Sequence, residues 1–182
     1  MAESNAPTSL RQPDLVLAYT FLRVIIGINY FNHGFTRIGN IPGFVSGMVE
    51  TFQATFLPPF LVQINAFLVS PIELIFGLLL AIGLFTRLSL IVLLGLMVVL
   101  MYGVTLVQNW DAATSQLIYD ALLGVLLAGL ALNTLSVDRW WQRRQATAAI
   151  AAHTAVLRWM PTWGWGRRRS QGRWGRSPRP HH

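Results

Sequence analysis

Three ionisable side chains interrupt long apolar runs: Arg23, Glu73 and Asp120. A charge in such a run is costly in lipid and by default marks a functional site. Counted from the outer ends of the runs at 1.5 Å per residue, Arg23 lies roughly 16 Å deep and Glu73 roughly 20 Å deep. Similar depth on antiparallel helices predicts an Arg23–Glu73 ion pair near the midplane. Asp120 comes only about 8 Å below the outer face by the same count. Asn29, Asn65 and Tyr102 reach a similar depth on the other runs, with Asn32, His33 and Gln63 just above. Asn29, His33, Asn65, Tyr102 and Asp120 therefore form one candidate polar layer. A carboxylate beside a histidine and tyrosines below a membrane face could hold a quinone or another small ligand and exchange protons with it. The structural alternative is that these groups are interhelical hydrogen bonds, worth about 0.6–2 kcal/mol each, that hold a bundle together.

Other chemistries are poorly served. The chain has no cysteine, which removes thiol redox chemistry, disulfides, thiolate zinc sites and iron–sulfur ligation. One histidine, His33, lies in the apolar body, so a bis-histidine haem within this chain is excluded. Asp120, His33 and Glu73 lack metal-ligand spacing, and no metal site is expected. No Gly-rich phosphate loop or nucleophile–base motif occurs. A redox role would draw its electrons from a partner subunit or a diffusible quinone, with no covalently bound cofactor.

The elements that must position these residues are apolar helices. Of 182 residues, 53% are hydrophobic and 12% charged, against about 25% charged in a typical soluble domain. Mean hydropathy is +0.48. Residues 15–32, 60–85, 88–107 and 116–135 are each long enough to cross a bilayer, and in lipid such segments close their hydrogen bonds as helices. In the loop 37–58, Pro42 can open a short helix, Phe44, Val45, Met48, Phe52 and Phe56 recur at helical spacing, and Pro58-Pro59 ends it. The fold expected is all-α: a four-transmembrane-helix bundle with a short outer-surface helix and a basic C-terminal amphipathic helix.

Charge divides the chain further. Residues 1–14 carry net −1 and do not resemble a cleaved signal peptide. Residues 15–136, the four-helix domain, also carry net −1, and residues 137–182 carry ten arginines and one aspartate, net +9. All fourteen basic residues are arginine. Residues 137–160 suit a basic amphipathic helix at the membrane interface, and 161–182 a disordered Arg/Trp-rich tail. Anionic lipid is the expected partner of that tail, and nucleic acid is not. Its basicity puts the C-terminus in the cytoplasm, and four crossings put the N-terminus there too.

A resemblance follows from motif order. Arg23-x3-Gly27 with Asn32-His33-Gly34-x2-Arg37, then Pro71-x-Glu73-x3-Gly77-x5-Gly83-x2-Thr86-Arg87, then Asn133-x2-Ser136-x-Asp138-Arg139 resemble the motifs of the DoxX family of small four-helix membrane proteins. The similarity covers about residues 15–140. Arg37 departs from it, because the family commonly has lysine there, and the Arg/Trp tail lies outside it. The resemblance implies a prokaryotic inner-membrane bundle, and Arg23, His33, Gly34, Arg37, Glu73 and Arg87 as the family-motif positions. Family members include subunits described as thiosulfate:quinone oxidoreductase or quinol-oxidase components that work with other proteins. Two functions stay open: a quinone-interacting subunit of a membrane oxidoreductase, or a non-catalytic anchor or scaffold recruiting partners or anionic lipid through the basic tail.

Overall fold

A computed structural model describes residues 11–159. The readings made for residues 161–182 lie outside that range. The described residues form six α-helices: α1 Gln12–Ile38, α2 Ile41–Thr51, α3 Pro59–Ile82, α4 Thr86–Leu106, α5 Trp110–Ala128 and α6 Val137–Trp159, with a 3-10 turn at Leu130–Leu132. Two compact units divide the chain, Met1–Gln145 and Ala146–His182. The first holds the bundle. In the second, the described side chains from Ala146 to Ala152 are exposed on α6.

Prolines and an asparagine set several helix starts. Pro13 and Pro59 stand in the first turns of α1 and α3, where a missing N–H is harmless. Asn40 caps α2 by accepting from the Gly43 amide, at 3.1 Å. The short helix expected from Pro42 forms but ends at Thr51 rather than at Pro58-Pro59, with Phe52 just past its end turned inward.

The first helix runs six residues past its expected outer end at Asn32. The last apolar segment is also shifted. It is helical from Trp110 to Ala128 and ends in the 3-10 turn, rather than running as one helix over 116–135. Three helices, α1, α3 and α4, are long and apolar enough to cross a membrane. α5 is not among them, because Asp111, Gln116 and Asp120 lower its hydropathy.

α1 and α3 lie in backbone contact. A side chain added at Gly27 would strike the Ala81 backbone, one at Gly34 the Leu74 backbone, and one at Gly77 the Phe31 backbone. Three absent Cβ atoms let two antiparallel helices approach along their length, the small-residue packing typical of membrane bundles. α4 packs on α3, α5 closes against α4 and α1, and α2 lies on α3. Between them Ile26, Leu80, Leu90, Leu93, Leu123 and Leu126 form the core. Large apolar side chains, among them Phe21, Ile25, Phe67, Ile75 and Val98, are exposed on the bundle surface, as suits a surface facing lipid.

One junction locks the other end of the bundle. Gly83, at φ 74°, closes α3 with a double bond pattern: its own amide donates to Leu80 O and that of Leu84 to Leu79 O. Asp138 caps α4 from the far end of the chain, its carboxylate accepting from the Phe85 amide at 2.8 Å and the Thr86 amide at 2.9 Å. Asn133 donates to the Thr86 hydroxyl, and the Asp138 amide donates to Gly83 O. The second and third sequence motifs thus interlock.

Gly77→Val should break the α1–α3 contact and lower stability by about 1–3 kcal/mol or more, the usual range for overpacking. Gly95→Ala, where an added methyl meets nothing within 4 Å, should instead stabilise by up to about 1 kcal/mol through helix propensity. Denaturant unfolding in detergent followed by circular dichroism measures both.

Candidate functional site

The glycine contacts fix a register between α1 and α3. Gly27 faces Ala81, Phe31 faces Gly77 and Gly34 faces Leu74. Extended, the same register sets Glu73 level with Phe35 and leaves Arg23 about twelve residues, or roughly 18 Å, further along. Glu73 therefore pairs with Arg37, Nη1 to Oε2 at 2.5 Å. This corrects the expected Arg23–Glu73 pair. Depth counting failed because α1 continues to Ile38 and the two helices are staggered rather than flush.

Arg23 has a different task. It is 3% exposed and donates from Nη1 to Leu80 O at 3.0 Å and from Nη2 to Leu135 O at 3.1 Å. Both acceptors are carbonyls at chain turns, and the α3 carboxyl end carries the negative pole of its helix dipole. A side chain on Gly83 would displace this guanidinium. Tyr19, one turn earlier, donates to Leu126 O at 3.0 Å. Arg23 and Tyr19 are thus fasteners between α1 and the ends of α3 and α5.

The Arg37–Glu73 pair borders a polar core. Glu73 is 4% exposed, while Arg37 is half-buried and also stacks over the Phe44 ring of α2, 4.7 Å from its centroid. Tyr30 is 3% exposed, and its ring meets Tyr119 edge-on at 6.3 Å. Tyr30 Oη, Ser70 Oγ, Gln116 Oε1 and one oxygen of Asp120 are buried without a hydrogen-bond partner among the described residues. Buried polar atoms are normally satisfied, and these are four of seven such side-chain atoms among the described residues, the others being Arg23 Nε, Ser89 Oγ and Asn133 Oδ1. Gln116, Tyr119 and Asp120 share one face of α5 through their i, i+3, i+4 spacing, a signal that periodicity in the sequence carries.

A second feature lies between α2, α3 and α4. A cavity of about 420 Å³ is walled mainly by apolar side chains such as Phe52, Val62 and Leu100, with Thr51, Asn65, Tyr102 and Asn109 as the polar members of its lining. Gly103 leaves room for the Phe52 ring, which would sit 3.1 Å from an added Cβ.

The expected single polar layer is therefore divided. Asn65 and Tyr102 share the cavity, whereas Asp120 stands with Tyr30 and Gln116. His33 is exposed, and no hydrogen bond or ion pair among the described residues joins it to Asp120. Asn29 is half-buried on α1 and does not line the cavity. Tyr30, Gln116, Tyr119 and the pairing role of Arg37 were not anticipated. Among the described residues, no group of three or more histidine, aspartate or glutamate side chains is placed to hold a metal ion.

Apolar helices with an apolar exterior and charges turned inward define a multi-pass membrane protein. The DoxX family model matches residues 18–106, from the first crossing helix to the end of α4, and the chain belongs to the DoxX family. No curated protein and no solved structure shows a significant match.

Arg37→Met leaves a buried carboxylate without its counter-charge and should cost about 3 kcal/mol. Adding Glu73→Met should recover most of that loss. Arg23→Met and Glu73→Met should simply add, with coupling below about 0.5 kcal/mol. Unfolding the two double-mutant cycles in detergent decides it, and a larger coupling for 23–73 than for 37–73 would reinstate the midplane pair.

Proposed function

We propose that this DoxX protein is a quinone-interacting subunit of a membrane oxidoreductase system, in the prokaryotic inner membrane, with α5 as a fourth crossing and both termini cytoplasmic. The observation that carries the reading is the cavity between α2, α3 and α4. At about 420 Å³ it has the size of a small-ligand site, and it has the expected make-up of apolar walls with a few polar groups. A quinone is a flat apolar ring with two carbonyl acceptors and an apolar tail. The amide of Asn65 and the phenol of Tyr102 are donors suited to those carbonyls. Leu61, Val62, Val99 and Leu100 offer the ring and tail apolar contact.

Proton chemistry has candidates nearby. Asn65 and Glu73 are two turns apart on α3, about 12 Å along the helix. Glu73 and Asp120 supply carboxylates inside the bundle. With no cysteine for thiol or iron–sulfur chemistry, this reading takes its electrons to or from another subunit or a second quinone. α5 supports a fourth crossing through its outer face, where Leu117, Ile118 and Val125 are exposed while Gln116 and Asp120 are turned inward.

Equilibrium dialysis of a short-tailed quinone against the purified full chain in detergent tests the site. Asn65→Leu and Tyr102→Phe should each weaken binding roughly tenfold, the worth of one hydrogen bond. Val99→Trp, which fills the cavity, should abolish it. His33→Ala should change nothing. Unaltered binding in the first three variants would sink the assignment.

A further inference from the structure

At the opposite end of α4 from that cavity, the α3–α4 turn and the first turns of α6 enclose a groove of about 650 Å³. Its floor follows Phe85, Leu88 and Ile91, all exposed apolar side chains at the start of a helix long enough to cross the membrane. Trp141 and Gln145 of α6 form the facing wall. Arg87 stands among them, exposed, and no hydrogen bond, ion pair or ring contact is made to it among the described residues.

The carboxylate that lines the same groove, Asp138, forms no ion pair with Arg87. Both oxygens of Asp138 are engaged by the Phe85 and Thr86 amides and the Thr86 hydroxyl, and the positive pole of α4 offsets its charge. The groove therefore offers an unpaired guanidinium at its mouth, an indole wall and an apolar floor that runs on down a crossing helix. From Arg87 to Ile91 the floor extends about 6 Å along α4, in the direction in which acyl chains enter the bilayer. Guanidinium suits a phosphate oxygen pair, and tryptophan favours the headgroup layer.

We infer that this groove is a binding site for one anionic phospholipid, its phosphate on Arg87 and the first segment of an acyl chain along Leu88 and Ile91. The site is separate from the quinone reading and does not depend on it. It differs from general attraction to the basic C-terminal region in requiring shape as well as charge.

Native mass spectrometry of the delipidated full chain in detergent tests it, with titration by phosphatidylglycerol, by phosphatidylcholine of the same chains, and by inorganic phosphate. One phosphatidylglycerol per chain should bind at least tenfold more tightly than phosphatidylcholine, and millimolar phosphate should not displace it. Arg87→Ala should remove that preference. Ile91→Trp should remove the tight lipid as well, although it changes no charge and alters an exposed position. Retention of the tight lipid by both variants would overturn the site. Loss in Arg87→Ala but not in Ile91→Trp would reduce it to surface electrostatics and overturn the groove. Displacement by free phosphate would show an anion site rather than a lipid site.

Discussion

The close approach of α1 and α3 governs the rest of the bundle. Gly27, Gly34 and Gly77 bring two backbones together where any side chain would hold them apart. Association in lipid lacks a hydrophobic drive between helices, so contact area and hydrogen bonds must supply it. Once those glycines mesh, the register between the helices is set, and with it the partner of every charge they carry. Arg37 reaches Glu73, and Arg23 reaches past the end of α3 to two carbonyls. The charges do not choose their partners; the glycine spacing does.

The two arginines of α1 then solve different problems with the same chemistry. Arg37 neutralises a buried carboxylate whose desolvation would otherwise be prohibitive. Arg23 adds a second donor to Leu80 O in the last turn of α3 and supplies one to Leu135 O in the segment before α6. The end Arg23 serves is also where Gly83, Thr86, Asn133 and Asp138 knit α3, α4 and the segment before α6. The cavity lies toward the other end, between α2, α3 and α4, where the Arg37–Glu73 pair and the stacking of Arg37 on Phe44 tie α1, α2 and α3 together.

The helices and their order were legible in the sequence because apolar runs of bilayer length have few alternatives, and the short helix after Pro42 was announced by its own turn chemistry. Family membership was legible in the spacing of glycines, charges and the Thr86-Arg87 pair. The pairing of charges was not. It depends on where α1 ends, and Asn32, His33 and Thr36 look like an exit from the membrane although the helix continues through them. The polar layer was misjudged for a related reason: depth along a helix says nothing of direction around it. Asn65 and Tyr102 turn toward one space, Asp120 toward another, and His33 outward. Tyr30 was overlooked because a tyrosine in an apolar run reads as packing until its hydroxyl is found buried without a hydrogen-bond partner among the described residues.

α5 shows why hydropathy and function pull against each other here. Its low hydropathy comes largely from Gln116 and Asp120 together with Asp111 at its start. Gln116 and Asp120 face α1, whereas Leu117, Ile118 and Val125 occupy the exposed side. A helix that faced soluble surroundings would reverse that arrangement. The residues that lower the hydropathy of α5 are the ones turned toward the bundle interior. A purely structural bundle would gain from replacing Gln116 and Asp120 with apolar side chains of similar size, since unpaired buried polar atoms destabilise. Gln116 and Asp120 share a face of α5 with Tyr119, whose ring meets Tyr30, and so put polar atoms inside the bundle that the described packing leaves without hydrogen-bond partners.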